Sequence, residues 1–423
     1  MSAGALLEKY KADPRLFQLA DKLTIARPEK ILLKNLFGSA SQFVAAGIFL
    51  HPSCAHLNHV FICNDAEDAA YFHNTLENLT GALNLHYFPS SYKNRKNYRL
   101  LNASHVMLRT EALTKFSSQT GNRVGALVTY PEAIAEKVVI SKAISENIIH
   151  IKAGDEIDPD ALYARLVDYG FERTDFVYEP GQFAIRGGIL DIYSFGNEKP
   201  YRIELFGNDV DSIRIIDPET QLSERRLLQV SIIPNVETQF EEEEKVSLLE
   251  FLPGNTVIWI QDEELLREKL LTAEEDLALF LSTVQPNLKE KEEEQEDKLI
   301  KKEVKPEEFI SAQAFFEDLQ ARHVIYFGYE KPEAFGAEVE FRTKSQPAFN
   351  RQFDMLINDL KSWEAKGFEL NIFAENPKQL ERLYTIFKDL KEEIQFNPIA
   401  TSIHEGYIDE DLKVVCYTDH QIF

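Results

Sequence analysis

At 423 residues, and with ~100–200 residues in an ordinary domain, the chain divides into two to four domains rather than one compact body. Hydrophobic residues make up 44% and charged residues 27%, enough apolar surface for real cores, which excludes global disorder. The 46 Lys and Arg stand against 70 Asp and Glu, a formal charge of −24 that repels phosphate backbones and anionic membranes and excludes a generic nucleic-acid coat unless a local basic patch overrides the average.

The first patterned stretch is an apolar ILL followed by Asn35-Leu36-Phe37-Gly38-Ser39-Ala40-Ser41-Gln42 and then by the helical run FVAAGIFL. Its position suits a phosphate-binding loop, but its chemistry does not. Such a loop needs several glycines, a Lys for the β and γ oxygens and a hydroxyl for Mg²⁺. Here Gly38 stands alone, Ser41 takes the place of the Lys and Gln42 that of the hydroxyl, so a turn before a helix is expected and no nucleotide cofactor. His51, Cys54, His56 and His59 follow, the densest group of metal-ligand residue types, at a spacing that matches none of the common zinc patterns. No metal is expected there, and no catalytic constellation stands out elsewhere.

The run NHVFICN (58–64) reads as a buried strand, and Asp65 caps an amphipathic helix that Gly81 ends. Strand-like LNLHYF (83–88), helix-like Leu100 to Phe116 and strand-like RVGALVTY ending at Tyr130 continue the alternation, which predicts an α/β domain over 1–140. Within it, Lys93, Arg95, Lys96 and Arg99 interleave with Tyr92 and Tyr98, a composition that suits either a loop tracking a phosphate backbone or a solvated connection. After Ile148 the pattern changes. Asp158, Pro159 and Gly170 bracket one helix, and Phe183/Ile185, Leu190/Ile192, Ile203/Leu205 and Ile213/Ile215 keep period two, predicting an α+β module over 141–236.

In Tyr201-Arg202-Ile203-Glu204-Leu205-Phe206, alternation sets Ile203 and Leu205 on one face and Arg202, Glu204 and Phe206 on the other. Arg186, before Gly187-Gly188, lies opposite in parity to Ile185. Exposed Arg beside an exposed aromatic is the composition of an interaction hot spot, and truncations there are expected to leave folding nearly intact. Further on come an acidic block (Glu241 to Glu244), strand-like TVIWI, helix-like Leu265 to Val284 and the charged run Lys289 to Lys305, read as a solvated helix or linker. Together with strand-like HVIYFG they form a segment over 237–330. Clean α/β alternation returns over 331–423 and predicts a separate small domain, in which Phe353, Leu356, Ile357 and Leu360, then Leu380, Leu383, Tyr384 and Phe387, make helical apolar stripes. The chain stops directly after strand-like LKVVCYTD, as a segment of something longer would. Cys54, Cys63 and Cys416 are too few and too badly spaced for a disulfide framework, so a cytoplasmic setting is expected. With neither an apolar leader nor a run of about 18 apolar residues, the expectation is a chain neither secreted nor membrane-spanning.

The segment YEPGQFAIRGGILDIYSFGNEKPYRIELFGNDVDSIRIIDPETQ (178–221) closely resembles the second domain of the bacterial transcription-repair coupling factors (Mfd) and, more distantly, its counterpart in the excision-repair protein UvrB. NLFGSASQFVAA resembles that family's degenerate Walker A region, LVTYPEAIAEKV the end of its first subdomain, and HEGYIDEDLKVVCYTDHQIF (404–423) the close of its third domain. The resemblance implies a degenerate P-loop-NTPase-like α/β domain in two halves (1–140 and 237–330), an inserted α+β domain that binds UvrA, and a small α/β domain 3. It implies that ATPase activity is lost here, with a degenerate Walker A at Asn35, Gly38, Ala40, Ser41 and Gln42. It also implies that the ATP-dependent translocase, with its RNA polymerase and DNA contacts, lies further along. UvrA would meet Arg186, Arg202 and Phe206, a surface masked in the resting protein by the C-terminal domain. A direct DNA-binding or nucleotide-binding, UvrB-like component is the alternative reading.

Overall fold

The structure is a computed structural model that describes residues 2–81, 84–94, 97–117, 124–237, 240, 245–285, 301 and 303–423. The acidic block Glu241 to Glu244, residues 289–300 of the charged run, and Arg95 and Lys96 lie outside the described residues.

A seven-stranded sheet forms the frame. From one edge it runs Ala337–Glu340, Lys30–Lys34, Val324–Tyr326, Thr256–Ile260, Asn58–Ile62, Ala126–Thr129 and Leu85–Tyr87, and every pairing is parallel. Strands buried on both faces read as continuous apolar runs, and all five residues of Thr256–Ile260 are buried. The sheet takes strands from both sides of the inserted module, so the two halves make one body. It also extends to Glu340, beyond the expected boundary at 330, because Ala337–Glu340 pairs with Lys30–Lys34 along its length.

The insertion enters and leaves through paired strands. Val138–Val139 pairs antiparallel with Lys245–Val246, and Ile149–Lys152 with Gln229–Ile232. Between them a six-stranded sheet runs Ser223–Leu227, Asp209–Ile216, Tyr201–Phe206, Ile189–Ile192, Gln182–Arg186, Glu172–Arg173. It is antiparallel except for its last short pair. Phe183, Leu190, Ile192, Ile203 and Ile213 form its core face with Leu162 and Leu166 of the helix Pro159–Asp168. A mixed α/β chain with a parallel and a separate antiparallel sheet is the fold class expected from the sequence.

A buried ion cluster fastens the insertion to the frame. Arg109 donates through Nε to Glu237 Oε1 at 2.7 Å and through Nη1 to the carbonyls of Pro89 and Ala133. Its Nη2 lies 3.4 Å from Glu136. Glu136 in turn accepts from the hydroxyls of Ser90 and Ser91, each at 2.6 Å. Removing water from three charges is costly unless each is matched by partners, as here.

The last ninety or so residues build a five-stranded mixed sheet, Thr343–Ser345, Tyr407–Asp409, Val414–Thr418, Glu369–Phe373, Asn397–Ile399. It is fused to the frame. Val414 and Cys416 join the frame's core, whereas Val415 and Tyr417 face the helices Phe353–Ala365 and Pro377–Asp389. That is the period-two alternation of a strand buried on both faces. The helix Ala40–Phe49 lies between the layers, which is why its residues Ala40 to Ile48 are all buried. The N-terminal helices Ala3–Lys11 and Pro14–Leu23 pack on it, and a Cβ at Gly47 would lie 2.4 Å from Leu16 Cδ2. Among the described residues no helix is long and apolar enough to cross a membrane.

Candidate functional site

In parallel α/β sheets ligands bind beyond the carboxyl ends of the strands, and the loop Asn35–Gln42 lies there. Asn35 and Gly38 both take positive φ, +55° each, a conformation that Asn and Gly tolerate. The loop is already occupied by the chain's own third sheet. Ser39 N–H donates to the carbonyl of Glu405 at 3.0 Å, and the Glu405 amide returns to Ser39 Oγ at 3.0 Å. Phe37 N–H donates to Thr343 Oγ1 at 2.7 Å. His404 stacks on Tyr71 at 3.9 Å between ring centres. The Ser41 hydroxyl turns back to the carbonyl of Gly38 and to Gln42 Oε1.

The residual cavity, about 330 Å³, is lined by the carboxylates Asp68, Asp262, Glu330 and Glu405, and by no Lys or Arg among the described residues. Burial, reinforced by Asp65, pushes the Asp68 carboxyl above the usual range. Such a cavity disfavours a polyphosphate on charge, and the amide that would greet a phosphate is spent on Glu405.

The sequence-selected polar face of the insertion has a different character. Arg186, Arg202 and Phe206 lie on the sheet face opposite the core residues Ile185, Ile203 and Leu205. Phe206 is 83% exposed at the end of its strand. The arginines are less free than expected. Arg202 has a side chain 15% exposed and binds Asp191 bidentately, Nε to Oδ1 at 2.7 Å and Nη2 to Oδ2 at 2.8 Å. Arg186, 32% exposed, pairs with the same carboxylate and lies over the Phe176 ring at 4.6 Å. Hydrogen bonding to Asp191 raises the Arg202 pKa further above its ordinary value. Truncating Arg202 therefore leaves a buried acid short of a partner, so the expectation of near-neutral stability is kept for Phe206 alone.

Asp191 and Phe176 escaped the reading of the sequence. The signal was there in Gly187-Gly188. A two-residue hairpin turn fixes Arg186 opposite Ile189 and Ala184 opposite Asp191, which puts the acid on the face of Arg186, and the pairing of the next strand then sets Arg202 opposite it. Phe176, Tyr178 and Leu222 are further exposed apolar side chains of this module, and the neighbouring Gln221 accepts from Arg202 through its carbonyl.

The other sequence candidates are structural. Tyr92 and Tyr98 are buried in the core of the insertion, packed edge-to-face with ring centres 5.3 Å apart. Arg99 is also buried and donates to the carbonyl of Lys301. The aromatic half of that basic stretch thus has no open ring face to stack on bases, nor is it a solvated connection. Lys301 and Val304, at the end of the charged run, are buried as well, which corrects its reading as solvated there. Lys301 Nζ pairs with Glu308 at 3.1 Å and donates to Tyr92 Oη. His51, Cys54 and His59 are buried. His59 Nδ1 accepts from Trp259 Nε1 at 3.1 Å, and burial lowers its pKa to about 3. Among the described residues no cluster of three or more His, Cys, Asp or Glu is placed to hold a metal.

With this geometry in view, residues 149–237 match the UvrB interaction domain family, the span of the inserted module. The chain is 38% identical over 143 residues to a transcription-repair-coupling factor of Bacillus subtilis, covering 34% of this chain and 12% of that protein. To the transcription-repair-coupling factor of Borreliella burgdorferi it is 25% identical over 326 residues, covering 71% of this chain and 28% of the relative. That of Escherichia coli is 28% identical over 110 residues, 26% of this chain and 10% of the relative. The chain thus spans under a third of the length of these curated relatives. It is similar to the N-terminal region of transcription-repair coupling factors.

Proposed function

We propose that this chain is the repair-recruiting part of a transcription-repair coupling factor, and that its inserted domain binds UvrA through Arg186, Arg202 and Phe206. In this reading the chain brings the excision-repair machinery to RNA polymerase stalled at a lesion. The polymerase and DNA contacts, and the ATP-dependent translocase that displaces the polymerase, belong to sequence outside this chain, and the C-terminal domain of the longer protein covers the Arg–Phe face at rest. The setting is the cytoplasm, in keeping with three unpaired, buried cysteines.

The observation that carries the proposal is the exposure of Phe206, 83%, beside two arginines already held in place, within the segment that matches the UvrB interaction domain. An exposed aromatic is cheap to order on binding, and planar guanidiniums suit carboxylates. We further propose that the chain by itself hydrolyses no ATP, a reading supported by the Glu405 backbone at the degenerate loop. Calorimetric titration of the full 423-residue chain with purified UvrA, and separately with ATP, tests both. Saturable heat with UvrA and none with ATP is expected. Silence with UvrA contradicts the first proposal, and micromolar ATP affinity or turnover the second.

A further inference from the structure

Arg186 and Arg202 share one acid. In the register of the sheet Asp191 stands directly opposite Arg202 on one side and Ala184, two residues before Arg186, on the other. Direct and diagonal cross-strand neighbours on one face lie within reach of long side chains. The Asp191 side chain is wholly buried. One oxygen takes Arg202 Nε, and the other takes Nη2 of both arginines. Each guanidinium spends a further N–H on a main-chain carbonyl, Arg186 on Asp175 at 2.7 Å and Arg202 on Gln221 at 3.2 Å. Two long side chains that would otherwise sample many rotamers are thereby held before any partner arrives, which removes part of the ordering cost of association.

We propose that Asp191 is the positioning residue of this surface: too deeply buried to touch a partner, it fixes the two guanidiniums so that their remaining N–H groups meet acidic side chains of the partner. The inference rests on reading this face as the UvrA-binding surface. It differs from a plain charge argument in sign. Asp191 offsets one of the two positive charges, so if attraction to an acidic partner depended on charge alone, removing the carboxylate would tighten binding. Under the positioning account, removing it weakens binding.

Asp191→Asn in the full chain keeps the side-chain shape and one acceptor oxygen. Two measurements follow it: affinity for purified UvrA, and hydrogen exchange of the arginine Nε–H groups by NMR with ¹⁵N-labelled arginine. The account expects UvrA affinity to fall about tenfold or more, with the Arg202 Nε–H, slow to exchange in the wild type, becoming as fast as that of exposed Arg225 on the edge strand. Unchanged or tighter UvrA binding by the variant overturns the proposal. So does a wild-type Arg202 Nε–H that exchanges as fast as that of Arg225, a result that needs no variant and decides the matter if Asp191→Asn does not fold. Failure of the wild-type chain to bind UvrA at all defeats the functional reading instead, and fast exchange at Arg202 would then separately defeat the positioning of the pair.

Discussion

Ser39 and Glu405, 366 positions apart in the chain, exchange two hydrogen bonds of 3.0 Å each. The contact engages the Ser39 amide at the edge of the remaining cavity, and it fixes the third sheet to the frame. Gly38 makes the approach possible. A Cβ there would lie 2.8 Å from the carbonyl oxygen of Gly406, and the residue's φ is +55°. Gly38→Ala should therefore destabilise the chain by about 1–3 kcal/mol and speed backbone hydrogen exchange at residues 404–407. Denaturant unfolding with exchange mass spectrometry reads both, and a variant as stable and as protected as the wild type would deny the loop its docking role.

The buried Arg109 is the second structural prediction. It lies between Glu237 and Glu136 at the root of the insertion, and Arg109→Met would take from the two buried carboxylates the cation they share. A loss of about 3–5 kcal/mol is expected in urea unfolding at neutral pH, far more than for Lys142→Ala, whose ion pair with Glu146 is exposed. Equal small effects for the two variants would show that the cluster does not hold the domains together.

How far the sequence disclosed this structure follows from how local each feature is. The helix Ala66–Thr80 was legible because Asp65 accepts from its first amides and Gly81 closes it at φ +72°, both signals lying within the segment itself. The outward parity of Phe206 was legible for the same reason. The shared acid Asp191 required a register across three strands. Burial of Tyr92 and Tyr98 required knowing that the insertion folds back onto them. The helices Ala3–Lys11 and Pro14–Leu23 were hidden among charged residues, although Leu6, Leu7, Tyr10, Leu16 and Leu19 are buried against the rest of the fold. In the third sheet, alternation of Val414 and Cys416 with Val415 and Tyr417 looks like a single apolar run when no second layer is known to cover it.

A pH prediction comes from His59. Burial alone lowers its pKa to about 3 in the folded chain, against ~6.5 unfolded. The unfolded state therefore binds the proton first as pH falls. The penalty is absent above ~6.5, grows by about 1.4 kcal/mol per pH unit below it, and levels off near the folded value. His86, lowered to about 4 by burial and by Lys115, acts in the same direction, while Asp409, raised by burial, acts oppositely at lower pH. His59→Gln should flatten the fall of stability between pH 6 and 4.5 by about one proton, as read from urea unfolding across that range. An unaltered slope would mean that His59 is not held neutral in the folded chain.

Binding of UvrA to the Phe206→Ala chain, with stability measured alongside, tests the central claim most directly. Because the ring is exposed, unfolding free energy should stay within about 0.5 kcal/mol of wild type while UvrA binding weakens by ~2 kcal/mol or more, roughly thirtyfold. Ile203→Ala, one strand position from Arg202 but fully buried, should do the reverse, losing about 2–5 kcal/mol of stability while the folded fraction binds as before. A Phe206→Ala chain that folds normally and binds UvrA as tightly as wild type would contradict the assignment of this face as the recruitment surface.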